Sequence, residues 1–187
     1  QQDLLKALVK TGKPVVLLLF TGRPLILSWE EANVPAILNV WYAGSETGKA
    51  VADVLFGKVT PSGKLTTSFP RAVGQLPLYY NRISQSRPDD DETVFNHYTS
   101  NYLDEKNSPL YPFGYGLSYT HFTYGEMRLS SEVLPKNGKL EVTVTVTNDG
   151  ETDGTEIVQL YLHDVFAEIA RPVKELKGYQ RIHLKQG

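Results

Sequence analysis

The sequence predicts an α/β layer followed by an all-β region, with a long irregular segment between them. Apolar runs and helical patterns alternate through the first 57 residues, whereas Val and Thr alternate after residue 138. From about residue 70 to residue 118, Pro, Tyr, Asn, Ser and Asp dominate and helical periodicity disappears. We therefore expect an open α/β layer, a packed connecting strap and a β-sandwich, in that order.

Two helices are predicted in the α/β layer. Residues 2–11 and Glu46–Phe56 each carry apolar side chains on one face. Each pattern is followed by a glycine, Gly12 or Gly57, and glycine commonly terminates helices. Glu46 lies in the first turn of its helix, where a carboxylate suits the helix dipole.

Two strands are predicted beside these helices. Val15–Phe20 and Ala36–Trp41 are short apolar runs without polar alternation, which is typical of strands covered on both faces. The residues between them are expected to form a loop, and Lys64–Phe69 is a candidate for a further strand. Helix, strand, loop, strand and helix is the order of an open α/β layer.

The C-terminal region has the alternation of an antiparallel sheet. Val142, Val144 and Val146 alternate with threonines, so one face points to a core and the other to solvent. Ile157–His163 and Lys177–Leu184 are the next predicted strands. These strands indicate a sandwich of immunoglobulin or fibronectin type, which needs about seven strands. Because the chain ends soon after Leu184, we expect the sandwich to be truncated.

Composition excludes several classes of function. The chain has 187 residues, a net charge of −2 and no Cys, so disulfides, zinc–thiolate sites and cysteine nucleophiles are excluded. A nucleic-acid-binding protein usually carries a basic footprint, and this chain has none. No apolar run is long enough to span a membrane. The first residue is not Met, so we expect a natural beginning further upstream, and a missing signal peptide says nothing about export.

An ordered set of motifs resembles one family. These motifs are Thr21-Gly22-Arg23-Pro24, Trp41-Tyr42-Ala43-Gly44-Ser45-Glu46-Thr47-Gly48-Lys49-Ala50, Ala52-Asp53-Val54-Leu55-Phe56-Gly57, Pro61-Ser62-Gly63-Lys64-Leu65, Ser68-Phe69-Pro70, Gln75-Leu76-Pro77, Leu110-Tyr111-Pro112-Phe113-Gly114-Tyr115-Gly116-Leu117-Ser118-Tyr119-Thr120 and Arg171-Pro172-Val173-Lys174-Glu175-Leu176-Lys177-Gly178-Tyr179. Their order and spacing resemble the C-terminal part of family 3 glycoside hydrolases. The segment from Tyr80 to Ser100 is most similar to bacterial periplasmic β-glucosidases.

The resemblance implies a parent enzyme that hydrolyses β-glucosidic bonds by retention, with β-xylosidase as the alternative activity. In this family a barrel carries an Asp nucleophile, and a loop of the α/β sandwich carries an acid/base Glu. Both residues are expected upstream of Gln1, so the chain should contain no catalytic residue and be inactive alone. A non-catalytic carbohydrate-binding or protein-interaction module is the rival interpretation.

The resemblance also implies partners and domain boundaries. We expect residues 1–77 to belong to the α/β sandwich domain, 78–120 to form the strap and 121–187 to form a fibronectin type III-like domain. The expected partners are a β-linked gluco-oligosaccharide or aryl glucoside and the N-terminal domains of the same enzyme, with a homodimer left open. No cofactor, metal, nucleic acid or membrane partner is expected, and the location is periplasmic or secreted.

The acidic residues of the chain have structural interpretations beside the catalytic one. Glu46 lies at a strand-to-helix junction, where α/β folds often bind ligands, but a first-turn acid that stabilises its helix is favoured. Glu30 and Glu31 are adjacent, and adjacent helical residues do not face each other, so a surface role is expected. The run from Asp89 to Glu92 lacks the spaced ligands of a Ca²⁺ loop. The four histidines lack metal-ligand spacing.

The 81–106 loop contains the candidate substrate-binding residues, Arg87 and Tyr102. Polar and aromatic side chains suit sugar faces, so this loop is a candidate border of the active-site mouth, in its own subunit or in a dimer mate. The favoured alternative is an interdomain strap. Arg23 could reach a substrate hydroxyl, but pairing with a carboxylate is favoured. Phe113 is expected to anchor the strap, so its loss should lower stability more than substrate binding.

Overall fold

The computed structural model describes residues 1–84, 87 and 96–187. These residues form three α-helices, one 3₁₀ turn and eight strands. In chain order they are α1 (Gln2–Val9), β1 (Val16–Leu19), α2 (Ser28–Asn33), β2 (Ala36–Asn39), α3 (Thr47–Leu55), the 3₁₀ turn Val73–Gln75, β3 (Phe122–Tyr124), β4 (Arg128–Leu129), β5 (Val142–Thr143), β6 (Val146–Asn148), β7 (Gly154–Leu162) and β8 (Glu175–Leu184).

The two predicted apolar runs pair as parallel strands, with Val16 opposite Ala36 and Leu19 opposite Asn39. The expectation that both faces are covered is wrong for the described part of the chain. Val16 is 52% exposed, and Phe20, just after β1, is 53% exposed. The physical reason is that an open groove of about 550 Å³ runs beside both strands.

The helices differ from their predictions in packing more than in position. α1 ends two residues before the expected limit, and Leu4 and Leu8 of its apolar stripe are exposed. Two side-chain contacts join α1 to α2: the Lys6 ammonium lies 5.4 Å from the centre of the Trp29 ring, and Gln2 Nε2 donates to Glu30 Oε1 at 3.2 Å. α2 itself occupies a segment that was expected to be a loop.

The expected strand at Lys64–Phe69 is an extended segment that joins the strap rather than the parallel sheet. Phe69 forms an isolated antiparallel bridge with Tyr111, and the Leu65 N–H donates to the carbonyl of Tyr115 at 2.8 Å. The Phe69 side chain is 1% exposed and contacts the rings of Trp41 and Tyr111. The first core therefore lies where β2, this segment and the strap meet.

The C-terminal region consists of antiparallel pairs. β3 pairs with β6, β4 with β5 and β7 with β8. The long β7–β8 pair has a register shift between Leu160 and Tyr161. Of the three alternating valines, Val142 lies in β5 and Val146 in β6, whereas Val144 lies between the two strands, and Val142, expected to face a core, is 36% exposed. The predicted turn at Asn148-Asp149-Gly150 joins strands of two different sheets, since β6 and β7 pair with other partners.

The strap anchors the C-terminal region to the rest of the chain. The Tyr80 and Phe113 rings stack with their centres 4.1 Å apart, and Tyr161 of β7 meets the Tyr80 ring edge-on at 6.2 Å. Gly114 has φ +83°, a left-handed conformation that glycine adopts readily, and its carbonyl accepts from Gln159 Nε2 at 3.0 Å. Strand β7 is thereby fixed against the aromatic part of the strap.

Candidate functional site

The carboxyl ends of β1 and β2 form one edge of the parallel pair, the place where open α/β sheets bind ligands. The loop after β1 contains Gly22 and the loop after β2 contains Tyr42. A Cβ added to Gly22 would lie 2.7 Å from Tyr42 Cε2, so a larger residue at this position would require the Tyr42 ring to shift. Trp41 has φ +56°, a left-handed conformation that is a genuine outlier for a bulky residue.

Glu46 is the residue just before the first helical residue of α3, one position earlier than expected. Its side chain is exposed and makes no capping hydrogen bond. Asp53 of the same helix does form ion pairs: its carboxylate oxygens lie 2.5 Å from Lys49 Nζ and 3.4 Å from Lys58 Nζ. The hydrogen bond from Lys49 holds the pKa of Asp53 below its usual value.

The expected surface role of Glu30 is wrong. Glu30 is 8% exposed, and its Oε1 accepts from Gln2 Nε2 at 3.2 Å. Its Oε2 is buried without a hydrogen-bond partner in the described part of the chain. The Gln2 side chain of α1 reaches Glu30 across the gap between the helices, whereas the adjacent Glu31 is exposed and lines the open groove.

Arg87 and Tyr102 are brought near each other through the backbone. The Arg87 carbonyl accepts from the Ser100 N–H at 2.7 Å, which closes the loop two residues before Tyr102. The Arg87 side chain is exposed, and Tyr102 is 39% exposed. The structure thus places both candidates on one loop surface but does not bring their side chains into contact. The acidic run at 89–92 lies outside the described residues.

The base of this loop is fixed by Gln75, a residue that is 3% exposed. Its Oε1 accepts from the Arg71 N–H at 2.6 Å, and its Nε2 donates to the Lys106 carbonyl at 2.7 Å and the Ser108 carbonyl at 3.2 Å. At the other side of the loop, the Arg82 carbonyl accepts from the Val173 N–H at 2.9 Å. Such contacts, which attach both sides of the loop to distant parts of the chain, are what the strap interpretation predicts.

The favoured pairing of Arg23 with a carboxylate is not found among residues 1–84, 87 and 96–187. The Arg23 side chain is exposed, and its backbone instead exchanges hydrogen bonds with Thr21 Oγ1, which donates to the Arg23 carbonyl at 2.8 Å. The same ranges contain no group of three His, Cys, Asp or Glu side chains able to hold a metal. They also contain no helix with the length and apolar character needed to cross a membrane.

A buried polar cluster that sequence reasoning missed joins the two regions. Lys64 Nζ lies 3.1 Å from Glu156 Oε2, and the two side chains are 15% and 9% exposed. Tyr124 donates its hydroxyl hydrogen to Glu156 Oε1 at 3.0 Å. Burial, followed by the Glu156 charge, raises the pKa of Tyr124 to about 12, so the phenol stays protonated as a donor at neutral pH. Lys64 belongs to the motif Pro61-Ser62-Gly63-Lys64-Leu65, but nothing in the sequence indicates that Glu156 is its partner.

Comparison with known proteins agrees with this architecture. Residues 1–119 match the glycosyl hydrolase family 3 C-terminal domain, and residues 156–187 match a fibronectin type III-like domain. The two matches define a chain that combines the C-terminal domain of a glycosyl hydrolase family with a fibronectin type III-like domain. The chain belongs to glycosyl hydrolase family 3, which confirms the resemblance found in its motifs.

Relatives of known name cover the whole chain. A periplasmic β-glucosidase of Salmonella typhimurium is 54% identical over 187 residues, 100% of this chain and 24% of the relative. A β-xylosidase of Formosa agariphila is 46% identical over 100% of this chain and 25% of its own length. The crystal structure of a Listeria innocua β-glucosidase with gluconolactone matches 99% of this chain and 26% of that one, with 45% identity and a TM-score of 0.89. The chain therefore spans about a quarter of the length of these relatives.

Proposed function

We propose that this chain is the C-terminal part of a retaining β-glucosidase that acts on β-linked gluco-oligosaccharides or aryl β-glucosides. The observation that carries the proposal is the 54% identity, over the whole chain, to a protein named periplasmic β-glucosidase. Identity to a β-xylosidase is lower, at 46%, so glucosidase is favoured over xylosidase. The rival non-catalytic binding module is disfavoured because relatives with enzyme names match along the full chain.

In this proposal the chain supplies support rather than the reacting groups. Retention needs two carboxyl groups about 5 Å apart, one as nucleophile and one as acid/base. Two carboxylates among the described residues have structural partners instead, Lys49 for Asp53 and Lys64 for Glu156. The finer architecture, with an α/β layer over 1–77, a strap over 78–120 and a fibronectin type III-like sandwich over 121–187, belongs to the same proposal.

A chimeric enzyme tests the proposal. In this chimera the matched quarter of the Salmonella periplasmic β-glucosidase is replaced by residues 1–187 of this chain. We expect the chimera to hydrolyse an aryl β-glucoside, with the unaltered Salmonella enzyme as the reference, and the isolated chain to give no turnover. Turnover by the isolated chain would show that a carboxylate pair exists within it, and an inactive but folded chimera would refute the supporting role.

Arg87 and Tyr102 are proposed to border the active-site mouth. We expect Arg87→Ala and Tyr102→Ala to raise KM for aryl β-glucosides with large aglycones in the chimera, because both side chains lie on one exposed loop surface. A matched control is Tyr179→Ala, which should leave KM unchanged, since Tyr179 is 74% exposed but lies on β8, outside this loop. If the KM changes in these variants do not depend on the aglycone, the assignment to the active-site mouth is wrong and the loop is an interdomain strap.

Location and assembly are also proposals. The name of the Salmonella relative supports a periplasmic or exported parent. If the 81–106 loop borders the active-site mouth of a second subunit, the enzyme is a homodimer. Sedimentation of the chimera would measure its mass, and a monomer would confine the loop to its own subunit.

A further inference from the structure

Strand β1 has one edge without a partner. In the described part of the chain, β1 pairs with β2 alone. The Leu19 carbonyl accepts from the Val40 N–H at 2.9 Å, so the main-chain groups of Leu19 point to β2. Because main-chain groups alternate in direction along a strand, those of Val16 and Leu18 point to the opposite edge. Within the described part of the chain they form no hydrogen bond at that edge.

The unpaired edge is apolar. Residues 15–20 include no charged residue and no proline. Val16 is 52% exposed, and Phe20, which follows β1, is 53% exposed. Edge strands that remain in water are usually protected by charges, proline or a bulge, which prevent pairing with other chains. β1 has neither charge nor proline, so its sequence is that of an interior strand in a wider sheet.

The missing neighbour is expected to be parallel to β1. β1 and β2 are parallel and are joined through α2, the kind of crossover connection that parallel strands require. Parallel sheets are covered on both faces in α/β proteins, and two strands alone are marginally stable. A further strand of the same polypeptide, joined by a further crossover, satisfies both requirements.

The length of the relatives indicates where such a strand comes from. This chain spans about a quarter of the Salmonella and Formosa relatives, so each of them has ample chain outside the matched part. The competing occupant is β1 of a second copy. A closed dimer has a twofold axis, and across it the two copies of one strand run antiparallel. Purely parallel sheets are over-represented relative to chance, so a parallel strand of the same polypeptide is favoured.

We propose that the outer edge of β1 binds an apolar strand, parallel to β1, from the part of the parent polypeptide that precedes this chain. The outer edge is the one to which the main-chain groups of Val16 and Leu18 point. This inference rests on the proposed function, which makes the chain the C-terminal part of a longer enzyme. It adds the surface through which the two parts form one sheet.

Hydrogen exchange at single amides of the chimera, measured by mass spectrometry with peptide fragmentation, tests this pairing. We expect the Leu18 N–H to exchange about a hundredfold or more slowly than in an unfolded peptide of the same sequence, because a buried ladder bond must first open. The Leu19 N–H, which points to β2, is the internal reference and should be protected as well. Exchange of Leu18 at the unfolded rate would refute the inference, because β1 would then be an edge strand.

Val16→Lys is the second test. Lysine is tolerated on an edge strand in water, whereas a neighbouring strand would remove part of its side chain from solvent. We expect the thermal midpoint of the chimera to fall by about 3–6 °C. Val133→Lys is the matched control, because Val133 is 71% exposed and lies between β4 and β5, and its effect should stay below about 1 °C. Equal thermal midpoints of the two variants would contradict a covered edge.

Sedimentation and activity separate this inference from its rivals. Protection of Leu18 that disappears when dilution converts a dimer to monomers would assign the edge to a second copy and overturn the inference. A folded, monomeric chimera with a protected Leu18 supports the added strand even if it hydrolyses no glucoside. An active chimera in which Leu18 exchanges freely refutes the added strand alone and leaves the β-glucosidase proposal standing.

Discussion

Replacing Lys64 with Met should lower the free energy of unfolding by about 3–5 kcal/mol, the cost of leaving a buried charge without its partner. Glu156 is the residue left unpaired, and its side chain is 9% exposed. The Tyr124 hydroxyl can still donate to Glu156, but one neutral donor does not replace an ammonium. Urea unfolding of the chain, or the thermal midpoint of the chimera, measures the change.

Two variants make this prediction specific. Lys64→Met combined with Glu156→Gln should recover most of the lost stability, because it removes both charges. Lys177→Met is the matched control, since Lys177 pairs with Glu175 at the same 3.1 Å distance but with side chains 46% and 36% exposed. Its effect should stay below about 1 kcal/mol. Equal effects of Lys64→Met and Lys177→Met would show that the Lys64–Glu156 pair is not buried in solution.

Replacing Phe113 with Ala should lower the free energy of unfolding by about 2–4 kcal/mol, within the range for large-to-small changes in packed sites. The variant removes the ring stacked on Tyr80 at 4.1 Å and leaves Tyr80 without one of the two aromatic contacts that it makes among the described residues. Strand β7 would then lose part of its attachment to the strap. We expect the thermal midpoint of the chimera to fall while KM for an aryl β-glucoside stays unchanged.

Phe166→Ala is the control for this prediction, because Phe166 is 94% exposed and its loss should change stability little. Phe113→Leu should lie between Phe113→Ala and the unaltered chain, since it retains apolar volume but not the stacked ring. A raised KM with an unchanged thermal midpoint would contradict the anchoring role and place Phe113 at the substrate.

Local pattern was sufficient to predict β1, β2 and α3, because each combines an apolar run or stripe with a clear stop. It failed at α2, whose six residues are too few to show a helical period. It also failed for Glu30, whose buried side chain is contacted by Gln2 of α1. Such side-chain environments are set by distant parts of the chain, and periodicity carries no information about them.

In the candidate site, too, some features could be predicted from local sequence and others could not. The loop with Arg87 and Tyr102 was found from its composition, and the structure closes it through the Arg87 carbonyl. The left-handed backbone of Trp41 was not foreseen, because tryptophan gives no hint of positive φ, in contrast to the glycine at Gly114. The Lys64–Glu156 pair was missed because its members belong to two regions that were interpreted separately.

The way the strap loop is attached determines which substitutions the loop can accept. Its two ends are held through main-chain oxygens, those of Arg82 and Lys106, which accept from Val173 and from Gln75. Neither bond depends on which side chain follows Arg82 or precedes Lys106. Side-chain substitutions between Arg82 and Lys106 are therefore compatible with both attachments, which depend on Gln75 and on the main chain of Val173.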